Sequence, residues 1–340
     1  MRRLLVLTCV LSALQATAAL GAPREYDLLR ALPAGRFAAI TAGDKPDVQG
    51  LTGSNHLNGS WLEAGPQRGS CRAVIAGIVA DDLAAANDAW RGIEVAFAHQ
   101  RADGGFEAVI RPNGASANPT HAAVETAFFF LQELGHAILV IRQSPHEAHF
   151  HARIAALEPK LRRATAFISA GYDTIIASSS KAVNRIIIAA KAFGTCGVVL
   201  RDEKLIALSR KLIAHALTLR DPEGVFIENG GRDSSYNVVS ILFGQVLALH
   251  VALPEFEAAL PAAVAWQLTR ILPSGEIDVS GNSRTGVGKE KSYFGTPKNV
   301  NYKEIILALT LYGQVHEDPA CLSAAERVFN YAEKHNLTTK

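Results

Sequence analysis

"RADGGFEA" at 101–108, "DPEGVFIE" at 221–228 and "PSGEIDVS" at 273–280 decide how the rest of the chain is read. Each places a turn residue and a Gly ahead of an apolar residue, with an acid close by. Each follows a segment whose apolar residues recur three and four positions apart, the spacing of an amphipathic helix; "NRIIIAAKAF" and "EIILALTLYG" carry the same pattern. Helices are expected near 72–100, 119–142, 146–170, 178–194, 201–219, 234–251, 256–271, 301–315 and 320–335. The similar turns return after alternate helices, except that the pair 119–142 and 146–170 ends without one. A recurring helix–helix–turn unit buries amphipathic faces against its neighbours in a solenoid or closed ring. Strand-like alternation is scarce, so the expected fold class is all-α.

The 340 residues are enough for a sizeable core, and 49% of them are hydrophobic. A formal net charge of +2 and the lack of a long basic run give no reason to propose nucleic acid as a partner. Arg2 and Arg3 precede an apolar stretch from Leu4 to Leu14 and then the small residues of "ATAALGA". That order reads as a secretory signal peptide within 1–22, with cleavage after Ala18 fitting the small-residue rule best. The apolar run is short for a membrane span, so the expected destination is secreted or periplasmic. Residues 23–70, rich in Gly, Pro and Asn, read as an irregular lead-in to a helical domain over 71–340. Beyond the signal remain Cys71, Cys196 and Cys321, which allow one disulfide at most and match no metal-site spacing. No cofactor or metal is expected.

Paired helices punctuated by "DGGF"-type turns resemble the α/α-toroid enzymes that act on polysaccharides. A chain of this length with an export signal resembles, among them, the single-toroid lyases of the alginate lyase type; the likeness spans roughly 71–335. Those lyases often carry an Asn-Asn-His-Ser-type helix motif, of which this sequence has no copy. The resemblance implies an (α/α) toroid, an incomplete barrel of helical hairpins with long loops at one mouth, and β-elimination on a uronic-acid-containing, anionic glycan. Such an enzyme must neutralise the sugar carboxylate, remove the C5 proton and protonate the departing O4, tasks suited to Asn, Arg, His and Tyr.

"VFIENGGRDSSYN" at 225–237 offers such a set. Asp233 or Ser234 is a natural N-cap for the helix from 234, which puts Tyr236 in its first turn beside the loop carrying Arg232. A nearby guanidinium would favour the phenolate, so Tyr236 and Arg232 are the expected catalytic centre, with Asn184 or His121 completing it. Asn184 and Arg185 enter an otherwise apolar helix, where Asn184 could hold the substrate carboxylate and Arg185, a substrate-binding residue, could pair with it. His121 occupies a first helical turn in "NPTHAAVETAFFF", as a proton shuttle would. The polar loop at 280–305 contributes Arg284, Asn301, Tyr302 and Lys303, with Lys289, Lys291, Lys298 and Tyr293 also suited to an anionic sugar; Glu228 and Asp233 complete the expected substrate-binding set. The cluster of His146, His149 and His151 reads as a solvated helix, since only His146 and His149 share a face. One rival is an inverting glycoside hydrolase drawing two carboxylates from Asp103, Glu107, Glu228, Asp233, Glu276 and Asp278. The other is a non-catalytic glycan-binding protein. The similar loops lead to the expectation that 101–107, 221–236 and 273–303 converge on one cleft.

Overall fold

The structure is a computed structural model that describes residues 24–33, 36–109, 119–291 and 295–338. The described chain is all-α, and its only ladder pairs are isolated bridges within loops. Three short helices lead in: α1 (Glu25–Arg30), α2 (Arg36–Thr41) and α3 (Gly53–Asn58). Ten longer ones follow as hairpins: α4 (Arg68–Val79) with α5 (Leu83–Ala98), α6 (Pro119–Gln143) with α7 (Glu147–Ala170), α9 (Val183–Leu200) with α10 (Glu203–Thr218), α11 (Ser234–Ala248) with α12 (Pro254–Thr269), and α13 (Tyr302–Val315) with α14 (Pro319–Lys334). A short α8 (Tyr172–Ser178) precedes α9.

The first helix of each hairpin packs on the first helix of the next: α4 on α6, α6 on α9, α9 on α11 and α11 on α13. These inner helices run the same way. Arg185 meets Glu125, Gly135 lies against Thr195, and Arg142 Nη1 donates to the Val199 carbonyl, so position advances together along α6 and α9. Ser235 and Asn301 are joined at the starts of α11 and α13, and Gln245 and Ala308 further on. The first turns of the inner helices therefore share one side with the long connections. Stretches of α6 and α9 are long and apolar enough to cross a membrane, but 89% of each is buried inside the fold, as in core helices.

The three similar turns share one geometry. In each, the amide of the glycine closes back on the carbonyl three residues earlier, and Gly104, Gly224 and Gly275 have φ of 91°, 86° and 89°. Each turn presses on the outer helix of the hairpin that follows. A Cβ at Gly104 would fall 2.2 Å from the Arg163 carbonyl of α7, and one at Gly275 2.1 Å from the Arg327 carbonyl of α14. The turns are thus glued to the neighbouring unit, which is why they recur.

Two boundaries depart from the sequence reading. The helix expected over 72–100 is the hairpin α4–α5, broken at Asp81 in the left-handed region (φ 62°) and restarted by Asp82, whose carboxylate accepts from the Ala85 amide. The helix expected over 178–194 begins at Val183, after α8. The lead-in over 23–70 is also more ordered than expected. α1 packs on α6, and α2 on α4, while Arg36 of α2 pairs with Glu326 and lies over the Phe329 ring, both of α14. The lead-in therefore links the last hairpin to the first.

Glu25 anchors α1. It is buried, and it accepts from His136 Nε2 (2.6 Å) and His250 Nε2 (2.8 Å). Burial alone would raise its pKa, but His136 and His250 outweigh that and hold it at about 2. His136, bonded also to Glu133, is pushed above its usual value against the cost of burial.

Two predictions follow from this packing. Gly275→Ala, strained at its φ and blocked by backbone, should cost about 2–4 kcal/mol in chemical unfolding, against about 1 kcal/mol for Gly230→Ala, which has the same sign of φ (78°) but open space around it. A lowered Glu25 pKa contributes stability above 4.5 that is lost as pH falls towards 2, and a raised His136 pKa contributes stability below 6.5 that is lost as pH rises through its folded value. Wild-type minus Glu25→Gln stability should therefore be largest between pH 4.5 and 6.5, by about 3 kcal/mol, and a pH-independent difference in melting curves would contradict the clamp.

Candidate functional site

The connections before α11 and α13 meet at the start of α11. Glu228, Asn229, Gly230 and Gly231 form a tight turn: Glu228 and Gly231 exchange backbone hydrogen bonds, with Asn229 (φ 52°) and Gly230 (φ 78°) both left-handed. This is what the Gly-Gly pair serves. The turn lays Glu228 beside Ala182 and holds its carboxylate fully buried.

Asp233 caps α11 and does more. Its carboxylate accepts from the amides of Ser235 and Tyr236 and, across the connection, from the amides of Arg284 and Thr285 (both 2.9 Å) and the Thr285 hydroxyl. Asn282 adds a second clasp through its side chain to Ser234. Together they pin residues 282–285 over the helix mouth, and so deliver Arg284.

Arg284 bridges two carboxylates. Nη1 donates to Glu228 and Nη2 to Glu290 Oε1 (2.9 Å), with the guanidinium 5.1 Å from the Tyr236 ring centre. The Tyr236 hydroxyl donates to Glu290 Oε1 (2.5 Å) and accepts from Lys298 Nζ (2.9 Å), and Lys298 also reaches Glu290 (3.1 Å). Glu228 Oε2 and Glu290 Oε2 are buried and accept no hydrogen bond among the described residues. Burial pushes the Glu228 carboxyl above its ordinary pKa against the pull of Arg284 and Arg185. Burial and the Glu290 charge drive the Tyr236 phenol well above its ordinary value.

Comparison of the chain with protein-family models, curated proteins and solved structures finds no match.

The geometry of the site corrects the expected centre. Arg232 turns away from Tyr236 to pair with Asp221 (2.5 Å) and Glu223 (2.9 Å) beside the Trp266 ring, and the guanidinium over Tyr236 belongs to Arg284. The phenol is held as a proton donor, not as a phenolate. Asn184 is buried in the first turn of α9, its Oδ1 without a hydrogen bond among the described residues, and Arg185 lies 3.5 Å from Glu125 with its charge acting on Glu228. Asp233 is structural. Tyr302 is largely buried, stacked on Tyr331 with its hydroxyl accepting from the Ile277 amide. Asn301 caps α13, and its amide donates to Ser235 Oγ; with Lys303 it lines a central cavity next to the Tyr236 cluster. The side chain of His121, and Asn118 and Tyr293, lie outside the described residues.

The 221–236 and 273–303 segments do converge, but 101–107 joins a different neighbourhood. Arg101 pairs with Asp103, and Glu107 with His99, which stacks on Trp61 at 4.1 Å. Among the rival acids, Asp278 is held by Arg270 and Ser280. His146 pairs with Asp81, and His149 meets Asn87. Cys71, Cys196 and Cys321 are unbridged and buried, and burial pushes the Cys196 thiol up to about 12. Glu290 is the residue that sequence reading missed; its only signal is an acid set among the lysines of "GKEKS".

Removing Arg284 strands Glu228. Arg284→Met should destabilise by about 3–5 kcal/mol near neutral pH, as expected for a buried charge left alone. A carboxyl whose folded pKa exceeds its unfolded value loses stability as pH rises, so the loss should shrink on acidification. Adding Glu228→Gln to the Arg284→Met background should restore much of the loss, and a double variant no more stable than the single one would contradict the bridge.

Proposed function

We propose that the five hairpins form an incomplete α/α toroid, and that the protein is an exported polysaccharide lyase that cleaves an anionic, uronate-containing glycan by β-elimination at the Tyr236 cluster. The carrying observation is the Tyr236 hydroxyl, held between the Glu290 carboxylate and the Lys298 ammonium beneath Arg284. In this reading Arg284 and Lys298 offset the charge of the uronate carboxylate and so acidify the C5 proton. Glu290 takes that proton. The electron pair left behind forms the C4=C5 bond as the C4–O4 bond breaks. Tyr236 gives its proton to the departing oxygen and regains one from Glu290, so acid and base are restored without exchange with solvent. The raised pKa of Tyr236 suits the acid better than the phenolate base that the sequence suggested. Arg185 and Asn184, at the neighbouring inner-helix start, extend the site for the next sugar.

A specific observation keeps the hydrolase as the alternative: Glu228 and Glu290 share one guanidinium, and burial pushes the Glu228 carboxyl above its ordinary pKa. Incubation with a panel of polyuronides should produce ultraviolet absorbance from unsaturated ends. Tyr236→Phe and Glu290→Gln should each lower kcat about 100-fold or more with the fold retained. New reducing ends without ultraviolet signal would favour hydrolysis, and full activity of Tyr236→Phe would exclude Tyr236 as the acid.

A further inference from the structure

A cavity of about 290 Å³ lies between the inner helices and the lead-in, near the lower end of small-molecule pockets, roughly 300–1,000 Å³. The exposed Gly43, in the turn after α2, is among its lining residues. Its two walls differ. One is apolar and is built from Leu28, Leu32 and Phe37 of the lead-in facing Phe243, Leu307 and Leu311. The other is charged. Most of its ions are already paired: Arg72 through Nε and Nη2 with Asp44, Lys191 with Glu133, and His136 with Glu25 and Glu133. Two groups are not. Lys303 Nζ and the Glu304 carboxyl, in the first turn of α13, make no hydrogen bond or ion pair among the described residues.

We propose that this cavity is a binding site for a small amphipathic acid, with its anionic head at Lys303 and Arg72 and its hydrocarbon tail between the lead-in helices and α13. Three features converge on the head position. Lys303 is a half-buried cation that makes no ion pair among the described residues; Asp44, whose charge acts on it, is already held by Arg72, so an anion there would supply the direct partner it lacks. The Arg72 guanidinium lies close enough to act on Lys303, and its Nη1 donates no hydrogen bond among the described residues. The start of the 14-residue α13 adds the positive end of its dipole. Burial pushes the Glu304 carboxyl above its ordinary pKa, and in its protonated form it can donate to an anion. The tail wall argues against a sugar: it offers aliphatic and phenyl surface where a carbohydrate needs hydroxyl partners. The occupant is therefore distinct in chemistry from the proposed glycan, and the site stands or falls independently of the Tyr236 cluster.

Titration calorimetry on the signal-free protein with decanoate below its micelle concentration tests this. Saturable one-to-one binding is expected, at least tenfold tighter than for decanol, decyltrimethylammonium or glucuronate. Lys303→Met, which keeps the length of the side chain, should weaken decanoate at least tenfold while Lys303→Arg retains it. Should Lys303→Met fail to fold by circular dichroism, Leu311→Trp, which fills the tail wall from the other side, should abolish binding instead. Absent or non-saturable uptake of decanoate, equal binding of decanol, or tighter binding of glucuronate would overturn the proposal.

Discussion

Arg284 is the constraint on which the mouth of the molecule depends. A carboxylate as deeply buried as Glu228 is tolerable only beside a cation, and the guanidinium fork is the one group there that can also reach Glu290. Satisfying both acids fixes where residues 282–290 run. That path in turn uses every lone pair that Asp233 can offer, so the cap of α11 and the loop from the next hairpin become one unit. Tyr236 is then held from three directions by Glu290, Lys298 and Arg284. Among the described residues an unpaired oxygen remains on each glutamate, which is where a ligand would find acceptors.

A second constraint acts deeper in. The inner helices carry Glu133, His136 and Lys191 on faces that are otherwise apolar, and these need partners in the interior. Glu25 supplies one from the far end of the chain. The lead-in is thus drawn in by charge as much as by its leucines, and it roofs the space between the first and last hairpins. The central cavity, with Lys303 and Glu304 on its wall unpaired among the described residues, is what this roof encloses.

Much of this was legible in the sequence, and the failures have physical causes. The three glycine turns announced hairpins because each glycine must adopt a left-handed φ against a neighbouring helix, a demand no other residue meets. The crowding of "ENGGRDSSYN" pointed to a polar cluster, and Glu228, Tyr236 and the cap at Asp233 all lie in it. What sequence spacing could not give was partner choice. Arg232 and Arg284 are equally plausible on paper, but the chain reverses after Gly231, carrying Arg232 to Asp221 while a residue 52 positions away in the next connection reaches the tyrosine ring. The hairpin at Asp81 was hidden because its turn uses aspartates in place of Gly or Pro. The lead-in helices are too short for periodicity to register, and their order comes from Glu25 and Arg36 meeting residues more than a hundred positions away.

The central claim is that the Tyr236 cluster cleaves by moving one proton from carbon to the departing oxygen, with no water entering the bond. Digestion of a polyuronide in heavy-oxygen water, followed by mass spectrometry of the fragments, reads that directly. The account predicts fragments that carry no heavy oxygen at the new ends and whose masses sum to that of the uncut chain. Heavy oxygen incorporated at each cut, abolished by Glu228→Gln, would contradict it and make the protein a hydrolase.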